Sequence, residues 1–140
     1  DFQDSLKIHP ITSSIDEYEK LLKETKLDVK LYQKESFLEL IKEYDVIITY
    51  GPSSIVHECV LLRKPIVLLQ LINDSLTESM YDENTINICK NLDNIFNDIN
   101  DAQNKTINQT IRNESVEKMI GKFDGKCSER AVNEILKVIK

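Results

Sequence analysis

The stretch DVIITYGPSSIVHECVLLRKPIVLL, residues 45–69, joins two apolar runs through a turn and a short helical segment. Within residues 45–50, Val46, Ile47, Ile48 and Thr49 are β-branched at successive positions, so the pattern predicts a strand buried on both faces. Gly51 permits a turn closed to bulkier residues, and Pro52 stiffens it. Ser53 and Ser54 then offer hydroxyls and backbone N–H groups where a helix over about 54–63 begins. Pro65 cannot sit inside that helix and ends it, and IVLLQL, 66–71, forms the next strand. Strand, helix and strand at this spacing make a βαβ unit, whose strands run parallel.

The same alternation extends in both directions. Toward the N-terminus, SLKI (5–8) reads as a strand ending at His9-Pro10. Ser13 or Ser14 caps a helix through about Thr25, with Ile15, Tyr18, Leu21 and Leu22 on one face. DVKLY (28–32) is a further strand, and Phe37, Leu40 and Ile41 sit at helical spacing over 35–44. Toward the C-terminus, the polar loop NDSLTESMYDEN leads to a weaker strand, INIC (86–89), followed by helices over about 91–99, 103–121 and 127–139. The expectation is an α/β fold: one domain over 1–140 with a doubly wound, Rossmann-like parallel sheet and a helical C-terminal segment.

Composition narrows the function. The chain has 140 residues, 41% hydrophobic and 30% charged, as in ordinary globular proteins. Its net charge of −6 argues against nucleic acid or anionic lipid as a partner held by bulk electrostatics. Any phosphate must be held locally. No apolar run approaches the ~20 residues that span a bilayer, and DFQDSLKIHP lacks the basic start and apolar core of a secretory signal. Cys59, Cys89 and Cys127 are odd in number and widely spaced, with no CxxC or Cys/His cluster. A cytoplasmic, reducing compartment and no metal site are expected.

In an open parallel sheet, ligands bind beyond the carboxyl ends of the strands. The residues there are His9, then Tyr32 and Gln33, then Gly51 to Ser54, then Gln70 to Ser75. The turn at Gly51–Ser54, with paired serines at a helix start, suits an anion such as a diphosphate. Glu58 lies one helical turn beyond Ser54, where its carboxylate is placed to accept hydrogen bonds from ribose hydroxyls. The plainer alternative makes Ser53 or Ser54 an N-cap and Glu58 a solvated helix residue. His57 is expected against a neighbouring helix or solvent, and Cys59 as a small core residue.

KIHP, then D-V-I-I-T-x-G-x-S-S-x-x-x-E, then L-x-x-K-P-I-V-L, taken in order, resemble the C-terminal domain of GT-B enzymes that use nucleotide-diphosphate donors. The flavours most similar are the CDP-glycerol glycerophosphotransferases of teichoic acid synthesis, the non-hydrolysing UDP-N-acetylglucosamine 2-epimerases and capsule glycosyltransferases. The tail FDGKCSERAVNEILK, 123–137, is similar to the D-G-x-x-x-x-R ending of the glycerophosphotransferase-like group. The resemblance implies that Gly51, Ser53 and Ser54 bind the donor diphosphate and Glu58 the ribose. It makes His9 the catalytic candidate, touching the phosphates or assisting the leaving group, and gives the base to the loop around Tyr32–Phe37. The implied partner is a UDP-sugar or CDP-glycerol donor, with no cofactor and no metal, since no D-x-D pair sits at a strand end.

Two departures bear on the donor. The epimerases favour Ser-Gly-Gly where this chain has Pro52-Ser53-Ser54, and the glycerophosphotransferases favour Asp-Tyr before the serines where it has Tyr50-Gly51-Pro52. A GT-B enzyme also has two Rossmann-like domains, so the resemblance implies a fragment that is inactive alone. The missing N-terminal domain would supply acceptor and base, with peripheral membrane association of the whole enzyme. A strand preceding His9's own, central in the family's sheet, would also lie outside the chain. The rival readings are a 2-epimerase domain and a non-catalytic α/β module that binds a partner protein.

Overall fold

The computed structural model describes residues 4–11, 14–72, 81, 83–106 and 109–139. It resolves into two compact units, Asp1–Tyr44 and Asp45–Lys140, each with its own parallel sheet.

The first unit pairs β1 (Ser5–Lys7) with β2 (Lys30–Tyr32), parallel, with Leu6 opposite Leu31. Ile8 carries the ladder one step further, its N–H donating to the Tyr32 carbonyl at 2.9 Å. Between the strands runs α1 (Ile15–Thr25). Ile15, Tyr18 and Leu22 form its half-buried stripe, and Asp16 and Glu17 favour the positive end of its dipole. Lys26, at φ 55°, closes it in the left-handed region. A single helical turn, α2 (Phe37–Leu40), follows β2 and buries Leu40 and Ile41.

The second unit has three parallel strands in sequence order: β3 (Ile47–Tyr50), β4 (Ile66–Leu69) and β5 (Asn87–Cys89). Helix α3 (Ile55–Leu61) crosses from β3 to β4 and buries Val56, Cys59 and Val60. A 3₁₀ turn, Leu92–Asn94, leads from β5 into α4 (Ile95–Asn104). Ala102, Ile95 and Ile99 of α4 pack on Val67 and Leu69 of β4 and Cys89 of β5. Helices α5 (Gln109–Ile120) and α6 (Cys127–Val138) complete the unit. Among the described residues, no helix is long and apolar enough to cross a membrane.

The mixed α/β class and the parallel pairing agree with the sequence, and two details differ. β3 is not buried on both faces: Ile48 and Tyr50 are 45% and 60% exposed. Register puts them beside Val67 and Leu69, but the core cluster that α4 builds on the sheet takes in Val67 and Leu69 and includes neither Ile48 nor Tyr50. The strand closed off on both sides is β4, where Ile66, Val67 and Leu68 are all buried. The break between the helices expected over 91–99 and 103–121 lies further along the chain, after Asn104, so that the first runs over Ile95–Asn104 and the second over Gln109–Ile120. Lys105 leaves the helical region (ψ 108°), and its amine donates to the carbonyls of Glu83 (2.7 Å) and Ile86 (3.0 Å) at the entry to β5. Most of the loop after β4, residues 73–80 and 82, lies outside the described residues.

Candidate functional site

The turn after β3 is built from the backbone outward. Gly51 extends the ladder, its N–H donating to the Leu69 carbonyl at 3.2 Å, and then turns at φ 63°, a left-handed conformation that favours glycine. The Ser53 hydroxyl accepts from the Ile55 N–H at 3.4 Å, and its carbonyl accepts from the Val56 N–H at 3.2 Å. The Ser54 carbonyl accepts from the N–H groups of His57 (3.1 Å) and Glu58 (3.4 Å). Ser53 therefore performs the capping, and Ser54 opens the first turn with an exposed side chain.

A residue with no signal in the sequence fixes this turn. Tyr81, 6% exposed, puts its hydroxyl on both backbone groups of Ser53, accepting from the N–H at 2.8 Å and donating to the carbonyl at 3.0 Å. Its ring lies 5.7 Å from that of His57, centroid to centroid. Tyr81 is 28 residues from Ser53 in a polar loop, so neither periodicity nor motif spacing could reveal it.

The consequence for anion binding is a matter of counting donors. The N–H groups of Gly51, Ser53, Ile55, Val56, His57 and Glu58 all have partners within the protein. Among the described residues, none of these bonds engages the N–H or hydroxyl of Ser54. What the turn offers a ligand is Ser54, with the half-buried Glu58 one turn further along the helix. A single N–H and hydroxyl at a helix start can hold one phosphate oxygen, and a carboxylate at that distance suits a hydroxyl-bearing group beside it.

The other sequence candidates belong to the first unit. His9 is exposed just past β1, and its Nδ1 accepts from the Ile11 N–H at 3.2 Å. Tyr32 is buried at the end of β2, with the Lys30 ammonium 4.6 Å from its ring centroid. Hydrogen bonding to Lys30 and then to Tyr44 holds the Tyr32 hydroxyl below the usual phenol range. In the following loop, the Gln33 carbonyl accepts from the Lys7 amine at 2.6 Å, and the Gln33 N–H donates to Glu35 at 2.9 Å. The backbone of Gln33 is thus already engaged. The structure joins Gly51, Ser53, Ser54 and Glu58 in one turn and helix of the second unit, and describes His9 and Tyr32 within the first.

The tail motif has a local explanation. Gly125 turns at φ 73°, and the Asp124 carboxylate accepts from the Lys126 N–H (3.0 Å) and from Arg130 (2.7 Å). Arg130 also donates to the Lys122 carbonyl at 2.7 Å. The D-G-x-x-x-x-R spacing closes the entry to α6. Among the described residues, no group of His, Cys, Asp and Glu is arranged to hold a metal ion. No family model, no curated protein and no solved structure matches the chain.

Proposed function

We propose that the chain is the donor-nucleotide-binding domain of a GT-B-type transferase that moves a sugar or glycerol phosphate in cell-surface polysaccharide or teichoic acid synthesis. The observation that carries this reading is the end of β3: a parallel strand delivers a left-handed Gly51, and Ser54 follows with its N–H and hydroxyl turned to no described partner. Ser54 would take an oxygen of the donor phosphate, and Glu58 the ribose hydroxyls. The partial positive charge at the start of α3 would stabilise the charge gathering on the departing nucleotide. His9 as a phosphate contact, Tyr32 beside the base and a cytoplasmic site of action belong to the same proposal. So does the doubly wound sheet: among the described residues β1 and β3 each pair on one side only, which leaves each an open edge for a further strand.

Titration calorimetry of the chain with UDP and CDP tests the reading. Glu58→Ala is expected to weaken binding by about 1.5–3 kcal/mol, the scale of hydrogen bonds to a charged group. A 2′,3′-dideoxy nucleotide binding as tightly as its parent removes the ribose role, and no binding of either nucleotide removes the proposal. A second reading, a module that docks a partner protein, is favoured by α6, which buries none of its residues and exposes Val132, Ile135 and Leu136. That module would ignore both nucleotides.

A further inference from the structure

The tyrosine that fixes the Gly51–Ser54 turn is itself held from further along the chain. Tyr81 reaches Ser53 through its hydroxyl, at 2.8 Å to the N–H and 3.0 Å to the carbonyl. Two residues on, the Glu83 carbonyl accepts from the Lys105 amine at 2.7 Å. The same amine donates to the Ile86 carbonyl at 3.0 Å and to Asn87 Oδ1 at 3.2 Å. An ammonium has three protons to donate, and here they meet three acceptors within residues 83–87.

Lys105 stands on a rigid support. It follows the last residue of α4, whose Ala102 belongs to the core cluster with Val67 and Cys89. Asn87 is tied to the same helix, its Nδ2 donating to the Asp98 carbonyl at 3.3 Å. Between Glu83 and Asn87, Thr85 and Ile86 are buried. Successive Cα atoms are ~3.8 Å apart, so a clamp at Glu83 keeps the Tyr81 Cα within about 7.6 Å of it. The tyrosine's two hydrogen bonds need placement finer than that, because such bonds weaken steeply outside a narrow range of distance and angle.

We propose that Lys105 is a positioning residue for the Gly51–Ser54 turn. Its ammonium fixes the chain at Glu83, and through Glu83 the Tyr81 hydroxyl that sets the backbone of Ser53. The aim of the Ser54 N–H and hydroxyl follows from that backbone. A cation suits the task, because three oxygens drawn toward one point repel one another and a positive charge among them offsets the repulsion. That the turn is aimed at a nucleotide phosphate rests on the nucleotide reading; the link from Lys105 to Ser53 does not.

The test is amide hydrogen exchange followed by NMR on the chain without nucleotide, with the Val67 amide of β4 reporting global opening. Tyr81→Phe is expected to speed exchange at Ser53 about fivefold relative to Val67, the ratio that one lost hydrogen bond gives. Lys105→Met removes the charge from an exposed side chain and is expected to speed the same amide. Lys105→Met combined with Tyr81→Phe should be no faster than Tyr81→Phe alone, because both act on one link. UDP affinity, measured separately, should fall in both single variants. Unchanged exchange at Ser53 in Lys105→Met, a rise no larger than at Val67, or additive effects in the double variant overturns the proposal. So does unaltered UDP affinity in Lys105→Met when the parent chain binds UDP. Faster exchange at Ser53 in a chain that binds no UDP removes the nucleotide reading and leaves the link standing.

Discussion

Helices α3 and α6 carry the same kind of apolar stripe and end in different surroundings. α3 has seven residues and buries Val56, Cys59 and Val60 between the sheet and α5. α6 has twelve and buries none. An amphipathic pattern states which face a helix can bury, and packing depends on whether another element arrives to cover it. β3 and β4 lie under α3, and no described element supplies α6 with a comparable surface. Position, rather than hydrophobicity, separates the two.

Introducing a charge into each stripe gives the largest contrast. Val56 is 0% exposed, so Val56→Asp buries an unpaired carboxylate and is expected to cost about 4 kcal/mol or more. Ile135 is 57% exposed, and Ile135→Asp is expected to stay within about 0.5 kcal/mol. Urea denaturation followed by far-UV circular dichroism reads both. Comparable losses would mean that α6 is packed in solution and the contrast is wrong.

What could be read in advance follows the same division between local and long-range causes. The βαβ unit around residues 45–69, its parallel pairing, the start of α3 beside Ser54 and its end before Pro65 are all present, because each depends on neighbours within a few residues. The strands came out shorter than their apolar runs because ladder bonds stop where the partner strand ends. The division of labour between Ser53 and Ser54 was hidden, since it rests on a tyrosine hydroxyl from a distant loop. The place of the helix break, at Lys105 rather than a few residues earlier, was hidden likewise, since the amine there answers to Glu83 and Ile86. Ile48 and Tyr50 read as core because their spacing is that of core, while the cluster that α4 forms on the sheet leaves both outside it.

Each helix also carries a cysteine, and the two should respond differently to pH and reagent. Burial, and then the neighbouring Glu58 carboxylate, push the Cys59 thiol up to about 12. Cys127 opens α6 and is exposed. A thiol whose folded pKa is raised contributes stability that is complete below the ordinary thiol value and is lost as pH rises toward the folded one. Above pH 9 the chain should therefore lose up to about 1.4 kcal/mol of stability per pH unit through Cys59, and Cys59→Ala should flatten that slope. In the folded chain Cys127 should react with a thiol reagent at once, and Cys59 only on unfolding. Rapid labelling of Cys59, or an unchanged slope in Cys59→Ala, would show that the α3 core opens as readily as the α6 surface.

The smallest effect is expected where α6 begins. α3 starts on a turn held by a buried tyrosine hydroxyl, and α6 starts on an exposed ion pair, Asp124–Arg130 at 2.7 Å, joined by the Lys126 N–H. The Arg130 hydrogen bond, and then that from Lys126, hold the Asp124 carboxyl below the usual carboxylate range. A depressed carboxyl contributes above its ordinary pKa and ceases to contribute as pH falls through the folded one. Water screens an exposed pair, so its worth is local order rather than global stability. Asp124→Asn should leave the urea midpoint unmoved while the amides of the first turn of α6 exchange faster at neutral pH. The parent chain should acquire the same fast exchange on acidification, and the variant should show no further change. A fall in the global midpoint in Asp124→Asn would instead tie the entry of α6 to the core and erase the difference between the two helices.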